Sequence, residues 1–162
     1  MRNEGVSLLE LVVAMSVICV LAVALGFSFQ GWMGAYRVES ETKELYSDLM
    51  DAKTRAMTRN QMHFILLDTE NYQIFEDTNN NSSPDPYSGD NPVGGYTNPK
   101  NLAFPLERTG MITFDTRGLT ASAAAVSIPV SPPPGVVPDY NCVIIYQSRI
   151  RLGRMYEGTC GG

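Results

Sequence analysis

The sequence predicts an α+β fold in which a long amino-terminal helix packs on an antiparallel β-sheet domain. The prediction rests on an uncharged apolar run from Leu11 to Phe29, a helical pattern after it, and then about six or seven short β-prone runs. As a helix rising ~1.5 Å per residue, the run would be roughly 28 Å long, about one bilayer core. We therefore expect a helix with a transmembrane half and an amphipathic half.

The amphipathic half is indicated by apolar and small residues recurring at spacings of three and four, while charged residues occupy the other faces. No proline precedes Pro84, so one helix can extend from about Val6 to Asn60. A break near Gly31 and Gly34 is the alternative, because glycine weakens a helix by up to ~1 kcal/mol relative to alanine. The predicted buried stripe consists of Val38, Thr42, Leu45, Leu49, Ala52 and Ala56.

The strand predictions begin where the helical period ends. Residues 62–67 (MHFILL) and 71–75 (NYQIF) predict a hairpin, and residues 77–99 read as a long loop. The proline-rich stretch 131–138 cannot pair as a central strand. Further strands are predicted at 102–106, at 111–116 and 119–128 with a tight turn at Arg117 and Gly118 between them, and at 142–147 and 149–152.

Length and charge restrict the function. The chain has 162 residues, enough for one domain, and 12 basic against 17 acidic residues give a net charge of -5, which opposes general affinity for nucleic acid. His63 is the only histidine, and no nucleophile with a base, phosphate loop or zinc spacing is present. The sequence therefore does not predict an enzyme.

Two of the three cysteines are placed to form a disulfide. Cys19 lies within the apolar run, whereas Cys142 and Cys160 bracket the carboxyl-terminal segment. We predict a Cys142–Cys160 bond, with two free thiols as the alternative. Such a bond forms outside the cytoplasm, and closing a loop of about 19 residues would contribute roughly 3 kcal/mol.

Glu10 is the unusual residue of the amino-terminal segment, because a carboxylate at the mouth of an apolar run needs a positive partner. Only Met1 to Glu10 precede the run, and the first five of these residues form a short polar leader. The stretch Gly5-Val6-Ser7-Leu8-Leu9-Glu10 resembles the class III signal of type IV pilins and type II secretion pseudopilins, with Val6 where that family usually has phenylalanine. An ordinary signal anchor with an acid near its end is the alternative.

The resemblance implies a pilin lollipop: a leader peptide over 1–5, a transmembrane helix over 6–35 and a periplasmic pilin-like globular domain over 36–162. A prepilin peptidase would cleave between Gly5 and Val6 and methylate the new amino terminus at Val6. Glu10 would then neutralise the terminal amine of a neighbouring subunit during assembly. Local melting of the helix on assembly would be expected near Gly26.

Further stretches, SDLMDAKTRAMTRNQMHFILL, FEDTNNN and SRIRLGR, are similar to FimT/GspH-type minor pilins. The implied function is that of a structural subunit which enters or primes a type IV pilus or type II secretion filament. Its partners would be other pilins, an inner-membrane assembly platform and the prepilin peptidase. The implied location is the bacterial inner membrane, as a single-pass protein with a periplasmic domain, and the filament after assembly. A membrane-anchored periplasmic protein outside any filament is a second reading.

The long loop contains a partial calcium-binding pattern. Asp77, Asn79, Asn81 and Asp85 fall at positions one, three, five and nine, the spacing that calcium loops use for oxygen ligands. Ser82 and Ser88 stand where glycine and a bidentate glutamate are expected, so Asp90 is the candidate substitute. The alternative is an asparagine-rich turn whose side chains cap their own backbone.

Arg149, Arg151 and Arg154 form a basic cluster near the carboxyl terminus, and the first two are expected on one face of a strand. Paired arginines suit phosphate oxygens. Ser148 to Arg151 also resembles the Gly-Arg-x-Arg motif by which FimT-type pilins are proposed to bind DNA, with serine replacing glycine. A DNA-binding minor pilin for natural transformation is therefore an alternative function. The competing reading is an edge strand guarded by arginines, or arginines that meet acids of a neighbouring pilin.

Overall fold

Helix α1 (Leu8–Arg59) is 52 residues long. The computed structural model describes residues 7–85, 88–93, 98–122 and 124–162, and the side chains of residues 24–30 are outside this description. Gly31 and Gly34 lie within α1, so the helix does not break there. It ends at Asn60, which takes a left-handed conformation with φ 55° that asparagine tolerates better than most residues.

The prediction that the first half of this helix spans a membrane is wrong for the part of the chain that the structure describes. Within the described part of the chain, no helix combines the length and the apolar character needed to cross a membrane. The side chains of residues 24–30, which were part of the predicted span and include Gly26, lie outside the described residues.

The predicted single sheet is also wrong, because the described strands form two antiparallel sheets. The first sheet contains β1 (His63–Leu67), β2 (Asn71–Glu76), β3 (Asn91–Pro92), β4 (Lys100–Asn101) and β5 (Gly110–Phe114). The second contains β6 (Val126–Pro129), β7 (Cys142–Ile145), β8 (Ile150–Tyr156) and β9 (Thr159–Gly161). The strand order is β3-β2-β1-β5 in the first sheet, where β4 also pairs with β2, and β6-β7-β8-β9 in the second.

The division into two sheets occurs after the turn at Arg117 and Gly118. The turn itself is confirmed, since Gly118 has φ 72° and donates its amide to the Asp115 carbonyl at 2.8 Å. Beyond it, a bridge between Phe114 and Thr120 is followed by residues 121–125, which are all alanine or serine. Alanine and serine have small side chains, which add little packing to a β-sheet. Accordingly β5 pairs with β1, while β6 pairs with β7.

The first hairpin is confirmed, with Leu67 opposite Tyr72 across its turn. The strand predicted over 102–106 is wrong. The amides of Ala103 and Phe104 donate to the Glu41 carboxylate on α1, each at 3.1 Å, instead of to a neighbouring strand. Helix α1 therefore fixes this segment as a loop.

The buried stripe of α1 is confirmed, because all six of its residues are at most 1% exposed. Its apolar members join one core cluster with residues of both sheets, and α1 contacts β1, β5, β7 and β8. The second half of the helix is thus the common support of the two sheets. The sheet residues in this cluster include Ile65, Tyr72, Ile74, Phe114, Ile128, Val143 and Ile145.

Candidate functional site

The first turns of α1 carry a large exposed apolar surface, here called the apolar segment (residues 8–23). Its large hydrophobic side chains are between 53% and 81% exposed. Ser16 does not interrupt the helix, because its hydroxyl donates to the Val12 carbonyl at 2.7 Å. Exposed apolar surface of this extent usually marks an interaction site. The exposed residues are Leu8, Leu9, Leu11, Val12, Val13, Met15, Val17, Ile18, Val20, Leu21 and Val23.

Glu10 is the charged residue of the apolar segment and lies in the first turn of α1. Its side chain is exposed, and no described residue forms an ion pair or hydrogen bond with it. A carboxylate is favourable near the positive end of a helix dipole. If the segment were buried against another apolar surface, the carboxylate would lose water and would require a positive partner. The predicted cleavage site, Gly5 and Val6, lies outside the described residues.

Cys19 is the free, exposed thiol of the same segment, while Cys142 and Cys160 form the predicted disulfide. The bond connects β7 to β9 across β8, with the two Cα atoms 6.3 Å apart. Gly153 of β8 lies directly beneath it. A Cβ atom there would be 3.0 Å from the Cys160 sulfur, 3.2 Å from the Cys142 sulfur and 2.7 Å from the Gly161 carbonyl oxygen. The sequence offered no signal for this requirement.

The three predicted arginines are all exposed. Arg149 precedes β8 instead of sharing a strand face with Arg151, and its guanidinium lies 4.5 Å from the centre of the Tyr146 ring. Arg151 is opposite Ile144 of β7, and Arg154 is opposite Gly161 of β9.

The other side of β8 at Arg151 has no partner among the described strands, because β9 pairs only with Arg154 to Tyr156. Arg151 therefore stands at a sheet edge, where a charged side chain opposes pairing with another chain. Within the described residues, none of the ion pairs involves Arg149, Arg151 or Arg154.

In the loop after β2, the side chains of Asp77, Asn79 and Asn81 cap the backbone of the loop itself. The two carboxylate oxygens of Asp77 accept the amides of Asn81 at 3.2 Å and Ser82 at 3.0 Å. Asn79 Oδ1 accepts the Asn81 amide at 3.0 Å, and Asn81 Oδ1 accepts the Ser83 amide at 2.8 Å. These are the contacts of the asparagine-rich turn, in which side-chain oxygens accept the backbone amides of the loop.

Asp85 and Asp90 behave differently. Asp90 is 2% exposed, and its Oδ2 accepts the Asp85 amide at 2.9 Å. Burial raises the pKa of the Asp90 carboxyl, and the hydrogen bond from the Asp85 amide opposes the shift. The interaction with the Asp85 side chain and the charge of Asp77 raise the pKa further. Within the described residues, no group of three or more His, Cys, Asp or Glu side chains is arranged to hold a metal ion.

No protein-family model, curated protein or solved structure matches this chain.

Proposed function

We propose that this chain is a structural subunit of a filament, of the minor pilin or pseudopilin kind, and that it carries no catalytic activity. The observation that carries the proposal is the apolar segment: eleven large apolar side chains that the rest of the described chain leaves exposed, with Glu10 as their one charge. Burying each such side chain yields about 1.5–3 kcal/mol. The equivalent helices of neighbouring subunits would supply that burial.

Burial between subunits does not require the apolar segment to cross a membrane. It does bring Glu10 into an apolar environment, where a positive group must accompany it. Cleavage after Gly5 would create an amino terminus at Val6, and the amine of the next subunit would be that positive group. The partners under this proposal are other pilin-type subunits, an assembly platform and a prepilin peptidase.

The disulfide supports a location of the globular domain outside the cytoplasm, where thiols oxidise. For a bacterial filament of this kind, that compartment is the periplasm before assembly. The filament is either a type IV pilus or a type II secretion filament, since both use subunits of this design.

The test compares incorporation of Glu10→Val and Ser16→Val into filaments in cells that contain the assembly machinery. Both changes replace a polar side chain of the apolar segment by valine, but only the first removes the countercharge. We expect Ser16→Val to be incorporated normally and Glu10→Val to be found in filaments at a tenth of the wild-type level or less. Intact mass of the wild-type protein should show the loss of residues 1–5 and one methyl group added.

Normal incorporation of Glu10→Val would refute the assembly role of this carboxylate. A mature protein that begins at Met1, or that has lost about 25 residues, would refute the pilin-type function itself.

A second function, DNA capture by a filament subunit, is favoured by the exposure of Arg149, Arg151 and Arg154 without an acidic partner in the described chain. Changing Arg149 and Arg151 to alanine would remove about two phosphate contacts and flatten the salt dependence of DNA affinity by roughly two units. Arg117→Ala is the matched control, an exposed arginine that pairs with Asp115 at 2.9 Å. Absence of a gel shift with the full chain at ~150 mM salt and tens of micromolar protein would remove this function.

A further inference from the structure

The loop between β2 and β3 contains a pair of buried carboxylate oxygens that a filament function does not use. Asp85 Oδ1 and Asp90 Oδ1 are both buried, and neither has a hydrogen-bond donor among the described residues. Asp90 as a whole residue is only 2% exposed. A buried anionic oxygen without a partner costs free energy, so these two atoms call for a positive group.

The described chain does not supply that group. None of its ion pairs involves Asp77, Asp85 or Asp90. Asp77 also acts on Asp90 electrostatically, so three acids contribute to one negative region. The Asp90 carboxylate is fixed against the backbone of Asp85, because the Asp85 amide donates to Asp90 Oδ2 at 2.9 Å.

Hydrogen bonds within the loop hold the Asp85 carboxylate in one position. Its Oδ2 accepts the side-chain amides of Asn79 at 3.1 Å and Asn81 at 3.3 Å, which leaves Oδ1 as its unpartnered oxygen. Its backbone carbonyl accepts the amides of Ser88, Gly89 and Asp90 at 3.0–3.2 Å.

Gly89 is the residue that lets the loop close on this carboxylate. A Cβ atom at this position would lie 2.3 Å from Asp85 Oδ2 and 2.3 Å from Asn79 Nδ2. Any other residue type would therefore displace the Asp85 side chain. The loop thus closes around the Asp85 carboxylate, and its Oδ1 has no hydrogen-bond donor in the described chain.

We propose that Asp85 Oδ1 and Asp90 Oδ1 are two ligands of a calcium ion bound in this loop. Calcium takes six to eight oxygen ligands in irregular geometry, so two carboxylates can be completed by water and by neutral oxygens of the loop. Asp77, Asn79 and Asn81 shape the loop and do not provide the charged ligands. The site differs in this way from the ligand set that the sequence spacing suggested.

The experiment is a calorimetric titration of CaCl2 into the chelator-treated full chain, with thermal unfolding measured in CaCl2 and in chelator. Asp90→Asn removes one ligand charge and keeps an oxygen for the Asp85 amide. Asp68→Asn is the matched control, because Asp68 also accepts a backbone amide, that of Thr69 at 2.7 Å, but lies outside the loop.

We expect the wild type and Asp68→Asn each to bind one calcium ion. At a CaCl2 concentration 100 times the dissociation constant of calcium, both should unfold about 5 °C higher than in chelator. Asp90→Asn should bind at least tenfold more weakly. In chelator, Asp90→Asn should unfold at or above the wild-type temperature, because it lacks the repulsion from Asp85, and this order should reverse in CaCl2. That reversal distinguishes a lost ligand from a damaged fold.

Absence of heat and of any unfolding shift in the wild type at millimolar CaCl2 would overturn the proposal and indicate that a proton shared by the two acids satisfies them. Binding by Asp90→Asn with wild-type affinity would overturn it equally.

Discussion

At the scale of single residues, His63 shows how a buried polar side chain is held by a local contact. His63 is fully buried on β1, its Nδ1 is 3.1 Å from the Gln61 carbonyl, and its Nε2 is buried without a hydrogen-bond partner in the described chain. Burial lowers the pKa of His63 below its ordinary value of 6.5, although the Gln61 carbonyl and Glu76 oppose the shift. The imidazole therefore takes up a proton less readily in the folded chain than in the unfolded chain.

The lowered pKa predicts that acid destabilises the protein through His63. As the pH falls below about 6.5, the unfolded chain takes up a proton that the folded chain resists, so the free energy of unfolding decreases. The decrease from one group is at most about 1.4 kcal/mol per pH unit. Denaturant unfolding of the wild type and His63→Gln at pH 7, 6 and 5 measures it, since His63 is the only histidine.

The difference in unfolding free energy between the two proteins should change in favour of His63→Gln between pH 7 and pH 5. A difference that stays constant over this range would mean that His63 has the same pKa in the folded and unfolded chains.

At the scale of elements, α1 binds the loops of the domain through polar side chains as well as through its apolar stripe. Glu39 accepts the Asp139 amide at 2.9 Å, and Glu41 accepts two amides of the loop after β4. Lys100 of β4 contacts Glu44 at 2.8 Å and Asp48 at 2.5 Å. Burial lowers the pKa of Lys100, but these two carboxylates outweigh it and raise the pKa overall. The charged side of the helix is thus partly an anchoring surface.

Sequence reasoning predicted what depends on local pattern. The stripe from Val38 to Ala56 follows from the helical period, and the β1–β2 hairpin follows from two β-prone runs joined by a polar turn. The pairing of β5 with β1 could not be predicted, because it depends on contacts distant in sequence. The hydrogen bonds from the amides of Ala103 and Phe104 to Glu41 could not be predicted either, for the same reason.

The candidate site shows the same limit. Cys142 and Cys160 were predicted to pair, but the need for glycine at position 153 arises only when β8 passes under the bond. The oxygen spacing predicts a site in the loop from Asp77 to Asp85. It does not predict which oxygens accept backbone amides, because that depends on how the loop folds in three dimensions.

The close packing at Gly153 predicts that Gly153→Ala destabilises the second sheet. The added methyl group would meet a backbone oxygen at 2.7 Å, and the sulfur atoms cannot move away while bonded. We expect a loss of about 1–3 kcal/mol in the free energy of unfolding, measured with denaturant under non-reducing conditions. Gly161→Ala is the control, because a Cβ atom there has nothing within 4 Å. Equal losses in both variants would contradict the packing explanation.

At the scale of the whole molecule, the folded core and the exposed apolar surface occupy different parts of the chain. The core cluster begins at Val38 and includes residues of both sheets. The eleven exposed side chains of the apolar segment lie between Leu8 and Val23. Stability and assembly are therefore expected to depend on different segments of one helix.

This separation predicts the behaviour of a protein limited to residues 31–162. This protein keeps Trp32, whose ring centre lies 6.2 Å from the ring centre of Tyr36. It also keeps Gly34, which lies against the side chain of Val136. Since none of the core residues identified in the described chain is removed, its unfolding temperature should agree with that of the full chain within about 2 °C, and the disulfide should form.

Association should change instead. The full chain should form oligomers or require detergent, because its apolar segment is exposed to water, whereas the shortened protein should sediment as a monomer at tens of micromolar concentration. Adding a bismaleimide to the full chain should couple Cys19 of adjacent subunits into dimers, and Cys19→Ser should abolish them. If the shortened protein unfolds many degrees lower, the first part of α1 supports the domain, and its apolar surface is not free for other subunits.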